Sequence, residues 1–175
     1  MTYHTVRHSR LAPGEERAIL AILTAAYGQQ FDVFEEYYAN YTHVLMVLGA
    51  TLAAHVCWEQ RTLALDGHPP LRIAYLESLA TQPHLAGRGY GSAAMNIVAQ
   101  QVQDCDLGVL SAETPMFHAR LGWETWRGPI LVRAESGLVA STDGPLMILR
   151  TPRTPAWLDL DAPILAPWSD EQMEC

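Results

Sequence analysis

The sequence predicts an α/β domain, a mixed sheet with helices packed against it. Three observations lead there. Strand-length apolar runs alternate with helical periods in the order βααβββαβαβ. One glycine-rich loop follows a middle strand and opens a helix. The 175 residues show no internal repeat, so residues 1–175 read as one domain with a substantial core.

Residues 2–8 alternate weakly and read as a first strand. Pro13-Gly14-Glu15-Glu16 places a proline and two acids in a helical first turn. Ile19, Leu20, Ile22, Leu23 and Ala26 form the apolar stripe of that helix, and Gly28 stops it. Phe31, Phe34, Tyr37 and Tyr38 recur at helical spacing, which predicts a second helix over 31–40 with its aromatics in the core. The apolar runs 44–48 and 52–60 flank Gly49 as a hairpin, and Asp66-Gly67 marks the next tight turn. Residues 71–79 form the strand that enters the glycine-rich loop, and 90–104 the helix that leaves it. A short buried strand over 107–110 follows, then a short helix over 115–121 stopped by Gly122. Residues 130–139 and 146–149 read as further strand. From Thr151 onward Pro152, Pro155, Pro163 and Pro167 argue against regular structure, and no basic residue follows Arg153.

Composition removes several functions. The chain has eleven arginines and no lysine, with a net charge of −8. A Walker A loop needs a Lys after its last Gly, where Ser92 stands, and a lysine Schiff base is excluded for the same reason. The negative balance argues against nucleic acid and towards a cationic small molecule, or simply keeps a small domain in solution. Cys57, Cys105 and Cys175 are widely spaced, with no CxxC and no Cys/His ligand pair, so neither a metal site nor a disulfide framework is expected. No run approaches a membrane span and the first residues lack an apolar signal core, which points to the cytoplasm.

The loop itself is the strongest signal. Gly87, Gly89 and Gly91 let successive backbone N–H groups turn the same way, and the following helix aims the positive end of its dipole at the same spot. Such a device holds a phosphate or pyrophosphate. Its G-x-G-x-G spacing does not fit the dinucleotide fingerprint G-x-G-x-x-G.

With these elements in place, the chain resembles the GNAT superfamily of acyl-CoA-dependent N-acetyltransferases. Ala86-Gly87-Arg88-Gly89-Tyr90-Gly91 is similar to that family's CoA pyrophosphate loop at both of its small positions. It departs at the first, where Ala86 replaces Gln or Arg, so the backbone would do most of the holding. His118-Ala-Arg-Leu-Gly122-Trp123 has the frame of the family's second mark, with His118 in the usual Tyr place. Within the superfamily, Tyr75-Leu-Glu77, Leu107-Gly-Val-Leu-Ser111 and Gly122-Trp-Glu-Thr-Trp-Arg-Gly-Pro129 look like the aminoglycoside 2'-N-acetyltransferases, over roughly residues 20–150.

The resemblance implies a mostly antiparallel sheet splayed at its central strands, and acetyl-CoA as cosubstrate with no metal. It implies Glu77 as a base acting on the substrate amine through water. A carboxylate on an apolar strand beside the loop suits that task, although a structural acid paired with an arginine would look the same. Leu79, Ala80 and Thr81 would pair with pantetheine, and Gly87, Arg88, Gly89, Tyr90, Gly91 and Ser92 would hold the pyrophosphate. Glu35, Ser111, Asp143 and Trp168 would meet the cationic substrate, and the acidic segment 151–175 reads either as a solvated end or as a lid over the site. His118 stands as the acid for the leaving thiolate, its pKa raised by an acidic pocket; a second base and a backbone-bonded helix residue are the other readings. Trp123 reads as packing, and Trp126 as a further candidate for stacking on sugar rings. Another cationic amine, such as a polyamine or antibiotic precursor, and a CoA- or drug-binding module without turnover stay open. Family members commonly pair as homodimers.

Overall fold

The computed structural model describes residues 1–28, 38–65, 67–134, 137–141 and 144–166. The chain packs as two compact units, Met1–Glu59 with Leu76–Gln100 and Gln60–Tyr75 with Gln101–Cys175. In chain order the elements are β1 (Thr2–Arg7), a 3-10 turn (His8–Arg10), α1 (Pro13–Tyr27), β2 (Thr42–Leu48), β3 (Thr51–Leu63), β4 (Leu71–Thr81), a second 3-10 turn (Pro83–Leu85) and α2 (Tyr90–Gln101). After them come β5 (Leu107–Ser111), α3 (Pro115–Ala119), β6 (Glu124–Thr125), β7 (Ile130–Ala134), β8 (Gly137–Ala140), β9 (Leu146–Arg150) and β10 (Ile164–Leu165). No helix among the described residues is long and apolar enough to cross a membrane.

In the first unit the strands neighbour one another in the order β1-β2-β3-β4. β1 runs antiparallel to β2 from Thr2↔Val47 to Arg7↔Thr42, and being an edge strand it is mostly exposed, which explains its weak alternation. β2 and β3 form the expected hairpin, with Gly49 at φ +63 in the turn. α1 starts at Pro13, where the Glu15 carboxylate accepts the Ala12 N–H at 2.9 Å. It ends at Gly28 in the left-handed region, whose N–H reaches Thr24 O at 2.9 Å. Ile19, Ile22 and Leu23 are fully buried in one cluster with Tyr38, Tyr41, Leu45, Leu52, Cys57 and Ala80. Each such aliphatic side chain contributes about 1.5–3 kcal/mol by burial. Ala26 is exposed and does not belong to the stripe.

In the second unit β4 pairs in parallel with β5 from Ile73↔Leu107 to Tyr75↔Val109. β5 continues antiparallel to β9 as far as Ser111↔Leu146, and β9 pairs antiparallel with β6. β7 joins β8 antiparallel and β10 in parallel as a three-stranded sheet. The core gathers Leu63, Leu71, Ile73, Tyr75, Leu107, Val109, Trp126, Leu146 and Ile148 with Leu158, Leu160 and Ile164.

Three expectations change. Residues 31–37 of the second helix lie outside the described residues, and Tyr38–Asn40 is a turn closed by Tyr41 N–H to Tyr38 O at 2.9 Å. α2 stops at Gln101, three residues before Asp104, where a turn closed by Cys105 N–H to Val102 O at 3.0 Å leads towards β5. The proline-rich segment is not without regular structure. Ile164 donates to Pro129 O at 2.9 Å and Ala166 to Leu131 O at 2.7 Å, so β10 adds a parallel rung at β7 between prolines.

Candidate active site

Glu77, Ser78 and Leu79 are three consecutive half-buried residues of β4, where a regular strand would alternate. The cause is Ser78, whose φ of +55 lies in the left-handed region. That conformation costs a side-chain-bearing residue of order 1–2 kcal/mol. Side chains of the first unit hold it there. Tyr38 Oη and Ser78 Oγ share a hydrogen bond at 2.5 Å, and Ser78 O lies 2.9 Å from His55 Nδ1. The Tyr41 hydroxyl donates to Glu77 Oε2, fixing the orientation of the carboxylate. Cys57 Sγ lies 3.5 Å from Glu77 O as a thiol donor, and Tyr27 Oη donates to Leu79 O at 2.9 Å. Tyr41 and Tyr38 belong to no motif; Tyr38 is the last of the aromatic run that reads as core, and Tyr41 lies just beyond it.

A chain of histidines stands behind this segment. His43 Nδ1 lies 2.9 Å from His55 Nε2, and the two rings stack at 5.2 Å. Burial drives the His43 pKa down to about 3, helped by the charges of His55 and His8, and drives His55 down to about 4 against its bond to Ser78. Both imidazoles are therefore neutral at neutral pH. Burial also pushes the Cys57 thiol well up, reinforced by the Glu77 charge. His43, His55 and Cys57 bring one potential ligand atom each to within 4.8 Å of one another. The expectation that no Cys/His ligand pair exists is thus corrected: the His-x-Cys spacing of 55 and 57 puts both on one face of β3.

β4 leads straight into the glycine turn. Gln82 N–H binds Ala53 O at 3.0 Å, Leu85 is buried as an anchor, and residues 86–89 are exposed. Gly87 and Gly89 have φ of +74 and +85, with nothing within 4 Å of an added Cβ, so backbone conformation and not space requires glycine there. Gly89 O accepts the first helical bond from Ala93 N–H at 2.9 Å. Tyr90, Gly91 and Ser92 therefore form the first turn of α2, where N–H groups lack intrahelical partners. No acidic side chain occupies that turn, so the positive end of the helix dipole is uncompensated. The turn fits a pyrophosphate.

The other candidates lie in the second unit or outside the description. Ser111 is exposed at the end of β5. His118 is only 6% exposed, edge-on to Phe117 and Trp123 at 4.9 and 6.1 Å, and its Nδ1 has no hydrogen-bond partner among the described residues. Desolvation lowers its pKa. The expectation of a raised value is therefore reversed, because burial against rings outweighs the acidic balance of the chain. Glu35, Asp143 and Trp168 lie outside the described residues, as does 167–175 of the candidate lid.

Trp123 is core, as expected, and so is Trp126. A Cβ on Gly108 would lie 3.1 Å from the Trp123 ring, so that glycine makes room for the indole. Trp126 is 3% exposed and donates Nε1–H to Ala162 O at 2.9 Å, which corrects the stacking reading. Gly128 has no room at all: a Cβ there would sit 2.1 Å from Ala162 O. Arg127 adds a two-pronged pair to Asp161 at 2.7 and 2.5 Å, and the Arg127 and Gly128 N–H groups both donate to Leu160 O. The Gly-Trp-x-x-Trp-x-Gly-Pro run is thus a dock for residues 158–164.

Residues 17–123 match the acetyltransferase (GNAT) family. An aminoglycoside 2'-N-acetyltransferase of Mycolicibacterium fortuitum is 31% identical over 163 residues, covering 89% of this chain and 82% of its own. An acyl-CoA N-acyltransferase of Pseudomonas aeruginosa superposes with a TM-score of 0.59 at 14% identity, over 84% of this chain and 97% of its own. A GCN5-related N-acetyltransferase of Kribbella flavida gives 0.58 at 18% identity over 71% of this chain, which spans only 33% of that larger protein. The structural likenesses show the fold.

Proposed function

Given that the chain belongs to the GNAT acetyltransferase family, we propose that it transfers the acetyl group of acetyl-CoA to the 2' amine of an aminoglycoside. The observation that carries this reading is the arrangement of one strand and its loop. β4 presents Glu77, oriented by Tyr41, and within a few residues becomes the glycine turn that opens α2. The substrate class rests on the relative that is 31% identical, and the chain's net charge of −8 suits a polycation.

When bound, acetyl-CoA supplies an activated acyl carbon on a good leaving group. The residues that fit it are the N–H groups of Gly87 to Ser92 at the pyrophosphate and the β4 edge of Leu79, Ala80 and Thr81 at the pantetheine. Glu77 takes a proton from the substrate ammonium, directly or through one water, which gives the nitrogen the lone pair it needs. A neutral His118 is a poor acid for the thiolate, so we assign it to packing against Phe117 and Trp123. Ser111, Glu35, Asp143 and Trp168 remain proposed substrate contacts.

Thiol release tests the reading. Purified protein is mixed with acetyl-CoA and a panel of aminoglycosides and polyamines. Saturable release with 2'-amino aminoglycosides, absent with their 2'-hydroxyl analogues, supports it. Release only with polyamines refutes the substrate, and tight binding without release refutes the reaction.

A further inference from the structure

His43, His55 and Cys57 leave the β2–β3 hairpin on one face. His43 stands opposite Cys57 in the antiparallel register, and His55 is two residues before Cys57 on the same strand. All three are fully buried. None of the three touches substrate or cofactor in the proposed transfer, although His55 and Cys57 also brace the backbone of Ser78 and Glu77.

The hydrogen bonds fix how the rings are turned. Ser78 O can only accept, so His55 Nδ1 carries the proton and Nε2 turns its lone pair towards His43, 2.9 Å away. A histidine held this way, with its far nitrogen donating to a backbone carbonyl, is the usual support of a metal-ligating imidazole. The geometry points to a site for a soft d10 cation, Cu+ or Zn2+, held by His43 Nδ1, His55 Nε2 and Cys57 Sγ.

The donor set selects the ion. One thiolate and two imidazoles favour Cu+ or Zn2+ over Mg2+ and Ca2+, which take oxygen ligands. Thiolate and Cu+ sum to zero charge, which suits a position without solvent. Zn2+ leaves one positive charge, which the Glu77 carboxylate, close enough to act on the Cys57 thiol, would offset. With bonds of about 2.0 Å, two ligating nitrogens stand roughly 3.4 Å apart, so the pair must open by about half an ångström and the sulfur draw in. The protons balance simply. Cys57 loses its thiol proton to solvent, and His43 moves its own from Nδ1 to Nε2, so one proton is released per cation.

The test uses reduced full-length protein under anaerobic conditions. Cu+ is titrated in competition with bicinchoninate, and Zn2+ separately against a chromophoric zinc indicator. We expect one equivalent of at least one ion, with one sulfur and nitrogen neighbours in its X-ray absorption shell. Cys57→Ser and His43→Gln should weaken binding at least ten-fold, while Cys105→Ser and Cys175→Ser leave it unchanged. No cation bound in either arm, a shell without sulfur, or full binding by Cys57→Ser overturns the site. Should a core variant fail to fold, the wild-type titration and absorption spectrum still decide.

Discussion

Tyr41, the residue just before β2, donates its phenolic hydrogen bond to Glu77 Oε2 on β4. The tyrosine is only 1% exposed and sits edge-on to Tyr38 at 5.2 Å, so its hydroxyl has little freedom to point elsewhere. A carboxylate held by so fixed a donor keeps one orientation. Tyr41→Phe removes the bond and keeps the ring. If orientation matters to the reaction, kcat should fall about ten-fold or more with KM for acetyl-CoA nearly unchanged. A rise in KM alone would mean that Tyr41 shapes the cofactor groove instead.

Glu77→Gln keeps the shape and removes the base. Turnover should drop by roughly 10²–10⁴, while the melting temperature stays within a few degrees of wild type. Steady-state thiol release and a thermal scan measure the two together. Full activity in the variant would exclude Glu77 as the base.

Two glycines separate cofactor holding from folding. Gly128→Ala puts a Cβ 2.1 Å from Ala162 O, a clash with backbone that should cost about 3 kcal/mol or more and lower the melting temperature sharply. Gly87→Ala meets no atom and strains only a φ of +74, costing about 1–2 kcal/mol. Its larger effect should be on KM for acetyl-CoA. Equal melting temperatures for the two variants would contradict this division.

His118 gives a pH dependence of definite sign. Its folded pKa lies below the unfolded value of about 6.5, so the unfolded chain binds the proton more readily. The stability it contributes is present above pH 6.5 and is lost as pH falls through the folded pKa. Urea unfolding of wild type and His118→Phe at pH 7.5 and pH 5 measures this. The gap between them should shrink or reverse at pH 5, and a gap that widens would mean a raised pKa. Turnover of His118→Phe should fall only several-fold.

Most of the fold was legible because its signals are local. Pro13 with Glu15 and Glu16, Gly28, Gly49 and Gly122 mark ends that short-range geometry dictates. The glycine turn was legible for the same reason, with Gly87 and Gly89 at positive φ. The features that escaped depend on partners distant in sequence. β10 forms because Ile164 meets Pro129, and Trp126 is core because Ala162 takes its N–H. The Tyr41–Glu77 bond joins residues 36 apart, and His43 meets His55 only through the hairpin register. The strain at Ser78 leaves no mark in composition at all.

The most direct measurement is the structure of the product. Wild type and Glu77→Gln are each incubated with acetyl-CoA and an aminoglycoside bearing a free 2' amine, and the product is examined by mass spectrometry and two-dimensional NMR. We predict one added acetyl group, on the 2' nitrogen, formed by the wild type and at least 10²-fold more slowly by the variant. Acetylation at another position, or equal rates from the two proteins, would contradict the account.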